Sequence, residues 1–266
     1  MRPTSIYVTA TLPTEIILEV IEYVKENHDT SSLYSYSLIS CDWLAALRSI
    51  LFTGMTITFN ELNKLINLLR SPCCSLTPHV RELCIRQVPS WYVVWRSSHG
   101  PFFGNKSFRH YAGRVSKVVQ LLPNVTRLCL QDFDFPSLGH KYRHKTYAGF
   151  DQIETLVLRD GMCEDTPFAI EEVLSSFPRV RRLECDILGL IDSETKVEYS
   201  KGLPQRPSAK YLPELTELLI VVPQADFLTL LSHCVSLQNV QKLDLNYKWG
   251  DSMLQDETKA LCAMFG

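Results

Sequence analysis

The chain has 266 residues, 45% of them hydrophobic, so it can bury a substantial core as one large domain or as a small domain and a larger one. Its net charge of -2 excludes the overall positive field that attracts nucleic acid or an anionic membrane. No apolar run is long enough for a membrane span or a signal peptide, and nine cysteines without a CxxC pair are typical of reduced thiols. These features predict a globular protein of the cytoplasm or nucleus, with neither nucleic acid nor a membrane as its partner.

Three short helices are predicted near the amino terminus. Pro13 suits a first helical turn, and the aliphatic residues after it recur at helical spacing on one face. The second and third helices are expected over residues 32–39 and 42–52. Three helices in so short a segment form a core too small to cover all their apolar surface, so one face of this module should bind a partner.

After a strand predicted at residues 55–59, a six-residue pattern occurs six times. Each copy is apolar at its first, fourth and sixth positions, and the fourth position is always leucine. The six leucines are Leu83, Leu128, Leu156, Leu183, Leu218 and Leu243. Intervals of 45, 28, 27, 35 and 25 residues separate them, so three fall at the period of a leucine-rich repeat and two allow an insertion.

Helical patterns occur between the copies, at residues 61–70, 114–122, 167–177 and 225–234. One strand and one helix per repeat cannot bury their apolar faces alone, so neighbouring repeats should stack with their strands in parallel. The predicted fold class is therefore mixed α/β, a small helical module followed by a right-handed solenoid with a parallel sheet. Residues 56–250 resemble irregular leucine-rich repeats, although the usual buried Asn or Cys after each strand is missing.

The amino-terminal module resembles an F-box, and its order of motifs is similar to that of fungal F-box proteins. The LPxE-IL, SLVS-xxW and closing LF motifs of that family are matched by these residues: Leu12, Pro13, Glu15, Ile16, Leu18, Ser37, Leu38, Ile39, Ser40, Trp43, Leu51 and Phe52. The resemblance implies an F-box domain at residues 8–54 and a substrate-binding solenoid at residues 55–266. It also implies a non-catalytic receptor that binds the S-phase-kinase-associated adaptor of a cullin-RING ubiquitin ligase and, through it, a cullin.

Adaptor contacts are expected from seven residues of the module. They are Leu12, Pro13, Ile16, Ile17, Leu38, Ile39 and Trp43. The alternative for Ile16 and Ile17 is that they close the core of the module, and Trp43 is expected to divide its ring between core and interface.

In the repeated segments, the third, fifth and seventh positions should face away from the core. Like positions of successive strands then lie side by side, which predicts a basic patch of Arg86, Arg127 and Arg159 beside Gln131. Arg86 and Arg127 are expected to have no acidic neighbour at their own level and to bind a carboxylate or phosphate on a protein substrate. The alternative is that these charges form cross-strand ladders, Arg159 with Asp186 and Arg182 with Glu217 and Lys242.

An aromatic segment at residues 90–111 includes Trp91 and Trp95, which either pack on the solenoid or bind the substrate. A polar segment at residues 192–210 is expected to be a mobile loop. His140 and His144 have the spacing of a metal pair but no third ligand nearby, so no metal or cofactor is expected.

Two other functions stay open. The chain could be a leucine-rich-repeat scaffold whose amino-terminal helices only cap the array. It could also be an F-box protein that binds the adaptor but acts outside ubiquitin ligases.

Overall fold

A computed structural model describes residues 12–26, 30–86, 108–132, 134–135, 149–159, 162–163, 173–186, 211–221, 231, 235 and 237–246. The chain divides into two compact units, Met1–Gly54 and Met55–Gly266. Trp91, Trp95, the two histidines of the 140–144 segment and the polar segment at 192–210 lie outside the described residues, so the expectations placed on them stay predictions.

The first unit contains three helices, α1 (Thr14–Glu26), α2 (Thr30–Tyr36) and α3 (Cys41–Leu51), each in contact with the other two. Helix α3 begins after Ser40, whose side chain accepts a hydrogen bond from the Trp43 N–H at 3.4 Å. This bond satisfies one of the free N–H groups at the start of the helix. The core of the unit consists of Ile17, Ile21, Val24, Leu33, Trp43 and Leu47.

Helix α2 ends three residues before the predicted position. After Tyr36 the backbone forms a turn, and the Ser37 hydroxyl donates a hydrogen bond to the Tyr34 carbonyl oxygen at 2.6 Å. Serine side chains compete in this way with the helical hydrogen bonds. Leu38 and Ile39 therefore lie in the connection between α2 and α3 rather than on a helix.

The second unit contains a seven-stranded parallel sheet. Its strands in spatial order are β1 (Gly54–Thr58), β2 (Glu82–Arg86), β3 (Arg127–Gln131), β5 (Thr155–Arg159), β7 (Arg182–Asp186), β8 (Glu217–Val221) and β9 (Lys242–Asn246). The short strands β4 (Asp134–Phe135) and β6 (Met162–Cys163) pair separately. Helices α4 (Leu62–Leu69) and α5 (Phe108–Leu121) pack against each other, and no helix in the described ranges is long and apolar enough to cross a bilayer.

The register of the sheet follows the repeated leucines. Leu83, Leu128, Leu156, Leu183, Leu218 and Leu243 are successive Cα partners across β2, β3, β5, β7, β8 and β9. The first five are almost completely buried and belong to one core cluster with the apolar residues at the sixth positions. The predicted strands, their parallel pairing and their register are thus confirmed.

The carbonyl end of α5 is completed by a residue from the next repeat. The side-chain amide of Gln152 donates hydrogen bonds to the carbonyl oxygens of Val119, Leu122 and Val125 at 3.3, 2.9 and 3.0 Å. The carbonyls of Val119 and Leu122 also accept the backbone N–H groups of Leu122 and Val125 at 3.0 and 3.1 Å, so the Gln152 amide adds a second hydrogen bond to each of them. Gly149 precedes this residue with a φ of +94°, and a Cβ there would lie 2.9 Å from the Gln120 Cγ, so only glycine fits.

Two residues differ from the predicted pattern. Leu243 is 39% exposed although it occupies a core position, whereas Val157 is only 2% exposed although it lies on the opposite face. Leu243 is on β9, the last of the described strands in the sheet order, and β8 is its one neighbour among them. The fifth position, where Val157 lies, was expected to face away from the core, yet the Val157 side chain is as fully buried as that of Leu156.

The burial of a side chain in the sheet unit predicts how much its truncation lowers the free energy of unfolding. Leu156→Ala should lower the free energy of unfolding by about 2 to 5 kcal/mol, because it leaves a cavity in the core. Val157→Ala should cost about 1 to 3 kcal/mol, since it removes two buried methyl groups.

The matched control is Leu243→Ala, which makes the same chemical change at the same repeat position in an exposed side chain and should cost less than about 1 kcal/mol. Urea denaturation measures all three variants. Equal losses for Leu156→Ala and Leu243→Ala would show that the register does not determine stability.

Candidate protein-interaction surfaces

The helical unit exposes an unusual amount of apolar surface. Eight of the ten large hydrophobic side chains found exposed among the described residues belong to it. They are Leu12, Ile16, Leu18, Val20, Tyr23, Tyr34, Leu38 and Ile39. Leu38 and Ile39, at 85% and 61% exposure, extend from the connection before α3. Concentrated apolar surface of this kind is typical of surfaces that contact a protein, a membrane or a ligand.

The structure divides the seven predicted adaptor-binding residues into two groups. Leu12, Pro13, Ile16, Leu38 and Ile39 are exposed. Ile17 and Trp43 are in the core, and the Trp43 ring lies 5.5 Å from the Tyr36 ring in a tilted arrangement. Ile17 therefore follows the alternative in which it closes the core, and the adaptor contacts expected of Ile17 and Trp43 stay predictions. Adjacent helical positions differ by about 100°, which is why Ile16 is exposed while Ile17 is buried.

The second candidate surface is the face of the sheet opposite the leucine core. Its central row is formed by the fifth positions of the repeats, and its two outer rows by the third and seventh positions. In the central row Cys129, Val157 and Glu184 are buried. This face is therefore partly packed, which the alternation of core and surface positions does not predict.

Glu184 is the centre of a charged network on this face. Its carboxylate accepts hydrogen bonds from both terminal nitrogens of Arg127, at 3.0 and 2.8 Å, and from Arg182 Nε at 2.8 Å. Arg127 is on β3 and Glu184 on β7, so their ion pair crosses β5 at the level of Thr155 and Val157.

The network extends toward both edges of the sheet. Arg127 lies 3.8 Å from Glu82, and Arg182 lies 3.1 Å from Glu217, which in turn lies 4.0 Å from Lys242. The predicted ladder of Arg182, Glu217 and Lys242 is thus confirmed. In the described part of the chain, no ion pair joins Arg159 to Asp186, although the two are register partners.

Arg86 and Arg127 both have acidic partners, contrary to expectation. Arg127 binds Glu184, two strands away, and Arg86 binds Asp132 with 2.6 Å between Nε and Oδ2. Asp132 follows β3 with a φ of +58° and donates its N–H to the Arg159 carbonyl oxygen at 2.9 Å. This left-handed turn brings the carboxylate beside β2, and aspartate tolerates it better than most residues.

These contacts set the charge states on the face. Burial alone raises the pKa of Glu184, but the hydrogen bonds and positive charges of Arg127 and Arg182 outweigh it and hold that pKa below its usual range. Burial likewise opposes the charge of Arg127, yet Glu184 raises the Arg127 pKa. Glu184 is therefore ionised at neutral pH beside a charged Arg127. No group of three or more potential metal-ligating side chains occurs in the described ranges.

The lowered pKa predicts how stability depends on pH. Glu184→Gln should lower the free energy of unfolding at pH 7 by about 1 to 3 kcal/mol, the usual value of hydrogen bonds to a charged group. A carboxyl with a depressed folded pKa stabilises the protein fully above its unfolded pKa of about 4.3 and loses this contribution as pH falls through the folded value. The difference between wild type and variant should therefore shrink as urea denaturation is repeated at decreasing pH.

Glu214→Gln is the control, because Glu214 forms a more exposed pair with Arg181 at 3.5 Å and should have little effect at any pH. A Glu184→Gln deficit that stays constant down to acid pH would contradict the role given to the carboxylate charge.

Two further residues of the predicted substrate site, Gln131 and Arg159, lie within the described residues. Gln131 and Arg159 are register partners at the seventh position and lie on the face as expected. Arg159 is exposed. Sequence reasoning missed Asp132 as a partner of Arg86, and the available signal was its position directly after the last residue of β3.

Comparison of the chain with protein-family models, with curated proteins and with solved structures gave no match.

Proposed function

We propose that the chain is a substrate-receptor subunit of a cullin-RING ubiquitin ligase. In this proposal the helical unit is an F-box that binds the S-phase-kinase-associated adaptor, and the sheet unit is an irregular leucine-rich-repeat solenoid that holds a protein substrate. Catalysis belongs to other subunits. The observation that carries the proposal is the concentration of exposed apolar side chains at the positions of the F-box motifs.

The internal packing of the helical unit supports this assignment. Six residues from α1, α2 and α3 fill its core, so Leu12, Ile16, Leu38 and Ile39 are not needed there. A fully buried aliphatic side chain contributes about 1.5 to 3 kcal/mol to stability. The same side chain contributes nothing of this kind when it stays exposed to water. The presence of these four apolar residues at the F-box motif positions is explained if a second protein covers them.

The sheet unit supports the other half of the proposal. A parallel sheet whose strands follow in chain order presents one long continuous face, as repeat proteins do when they bind extended partners. Most of the charges on this face already neutralise one another, so a substrate must bind through groups that the network leaves accessible. Arg159 is exposed, and in the described part of the chain it forms no ion pair.

The first prediction concerns the adaptor. In full-length protein, Leu12→Ala with Pro13→Ala, and separately Leu38→Ala with Ile39→Ala, should each weaken adaptor binding by about thirty-fold or more. The reason is that each lost apolar anchor is worth about 1 to 3 kcal/mol and 1.4 kcal/mol is a factor of ten. Titration calorimetry against purified adaptor measures the effect, and melting temperatures should hardly change because these side chains are exposed.

Leu68→Ala is the matched control, since Leu68 is an exposed leucine of the sheet unit. Wild-type protein that binds no adaptor would leave the helices as a cap on a repeat scaffold. Adaptor binding in cells without co-purifying cullin would place the protein outside ubiquitin ligases.

The second prediction concerns the substrate. Arg159→Glu should reduce substrate capture without affecting adaptor binding or the melting temperature, because it inverts an accessible charge outside the Glu184 network. Changing Arg127 is a poorer test, since it breaks that network. Proximity labelling with a proteasome inhibitor measures capture, with Arg179→Glu as an exposed control in the turn before β7. An unchanged set of labelled proteins would exclude this part of the face.

A further inference from the structure

Two cysteines from successive strands lie side by side on the charged face of the sheet. Cys84 on β2 and Cys129 on β3 are Cα register partners, and both are free thiols. Neighbouring strands are about 4.8 Å apart, which is within the range of about 4.4 to 6.8 Å between the Cα atoms of a disulfide. The Cα spacing of the two residues therefore already lies in the range of a disulfide.

The surroundings of the pair distinguish its two members. Cys84 is partly exposed, and its Sγ lies 3.9 Å from the Gln131 Oε1, which accepts a weak hydrogen bond from the thiol. Cys129 is buried beneath the same face. A small oxidant can thus reach Cys84 while Cys129 is held directly beside it.

The charges around the pair favour ionisation of Cys84. The thiol of Cys129, as a hydrogen-bond donor, outweighs the opposing effect of burial and, with Thr56 and the positive charges of Arg159 and Arg86, lowers the pKa of Cys84 to about 7. The same contact and burial raise the pKa of Cys129. Cys84 is then the thiolate and Cys129 the thiol that keeps its proton, the arrangement of a reactive and a resolving cysteine.

We propose that Cys84 and Cys129 are a redox-sensitive pair that a peroxide converts into a reversible disulfide between β2 and β3. The Cys84 thiolate attacks hydrogen peroxide, so an S–O bond forms, the O–O bond breaks and hydroxide leaves. The Cys129 sulfur then attacks the sulfenic acid, so the S–S bond forms and the S–O bond breaks. The departing hydroxide takes the Cys129 proton, and two thiols and one peroxide give a disulfide and two waters.

The sheet makes this bond easy to reverse. Disulfides prefer Cβ atoms about 3.5 to 4.5 Å apart, whereas side chains of parallel register partners start from the strand spacing of about 4.8 Å. Closing the bond therefore pulls β2 and β3 together locally, and strained disulfides are the readily reduced ones. The inference depends on the described sheet and is independent of the ligase proposal.

Peptide mapping of full-length wild-type protein tests the pair directly. After treatment with hydrogen peroxide, alkylation of remaining thiols and digestion with trypsin, the peptide Glu82–Arg86 should be joined to the peptide 128–141 with the loss of two hydrogens. A dithiol reductant should release both. Treated protein in which these peptides stay unlinked would overturn the proposal, and this result requires no variant that could fail to fold.

Variants assign the two roles. Cys129→Ser should abolish the link and leave a sulfenic acid on Cys84, which a dimedone probe labels, whereas Cys84→Ser should give neither product. Cys73→Ser, which removes an exposed thiol outside the pair, should leave the link unchanged. Dimedone labelling of Cys73 before Cys84 would show that exposure alone determines reactivity and would contradict the proposed activation of Cys84.

Discussion

In-register stacking of one leucine per strand holds the larger unit together. Because Leu83, Leu128, Leu156, Leu183 and Leu218 are successive partners and are all buried, each strand can occupy only one register. A slip by one residue would turn these side chains to the opposite face and place charged residues in the core. The positions of Arg127, Glu184 and the two adjacent cysteines follow from that register.

On the opposite face of the sheet, the same register brings charged side chains of different strands within hydrogen-bonding distance. Glu184 is buried, yet three hydrogen bonds from two arginines compensate for the desolvation of its charge. The bond from β3 to β7 also ties together strands that are not neighbours. This arrangement leaves fewer charges for a partner than the sequence suggests, and it is the reason that Arg159 rather than Arg127 is assigned to the substrate.

Sequence reasoning found the strands, their pairing and the core leucines because each depends on a short periodic pattern. It did not find the partners of Arg127 and Arg86. One lies two strands away across a small threonine, and the other follows a strand in a left-handed conformation, so neither is a like position of an adjacent repeat. The adjacency of Cys84 and Cys129 was predictable from the repeat register, since both occupy the fifth position.

In the helical unit, the sequence did not predict which apolar residues are buried and which are exposed. Periodicity places Ile16 and Ile17 on one broad apolar face, but only packing decides which of them is buried. Leu38 and Ile39 are exposed because the helix before them ends early. We propose that the adaptor binds on these exposed residues, which lie outside the core of six.

Hydrogen exchange of the full-length chain, with and without saturating adaptor, tests this claim most directly. The account predicts slower exchange of backbone amides in residues 12–26 and 30–52 when adaptor is present, and unchanged exchange in strands β2 to β8. Absence of binding, or protection confined to the strands of the sheet, would contradict it.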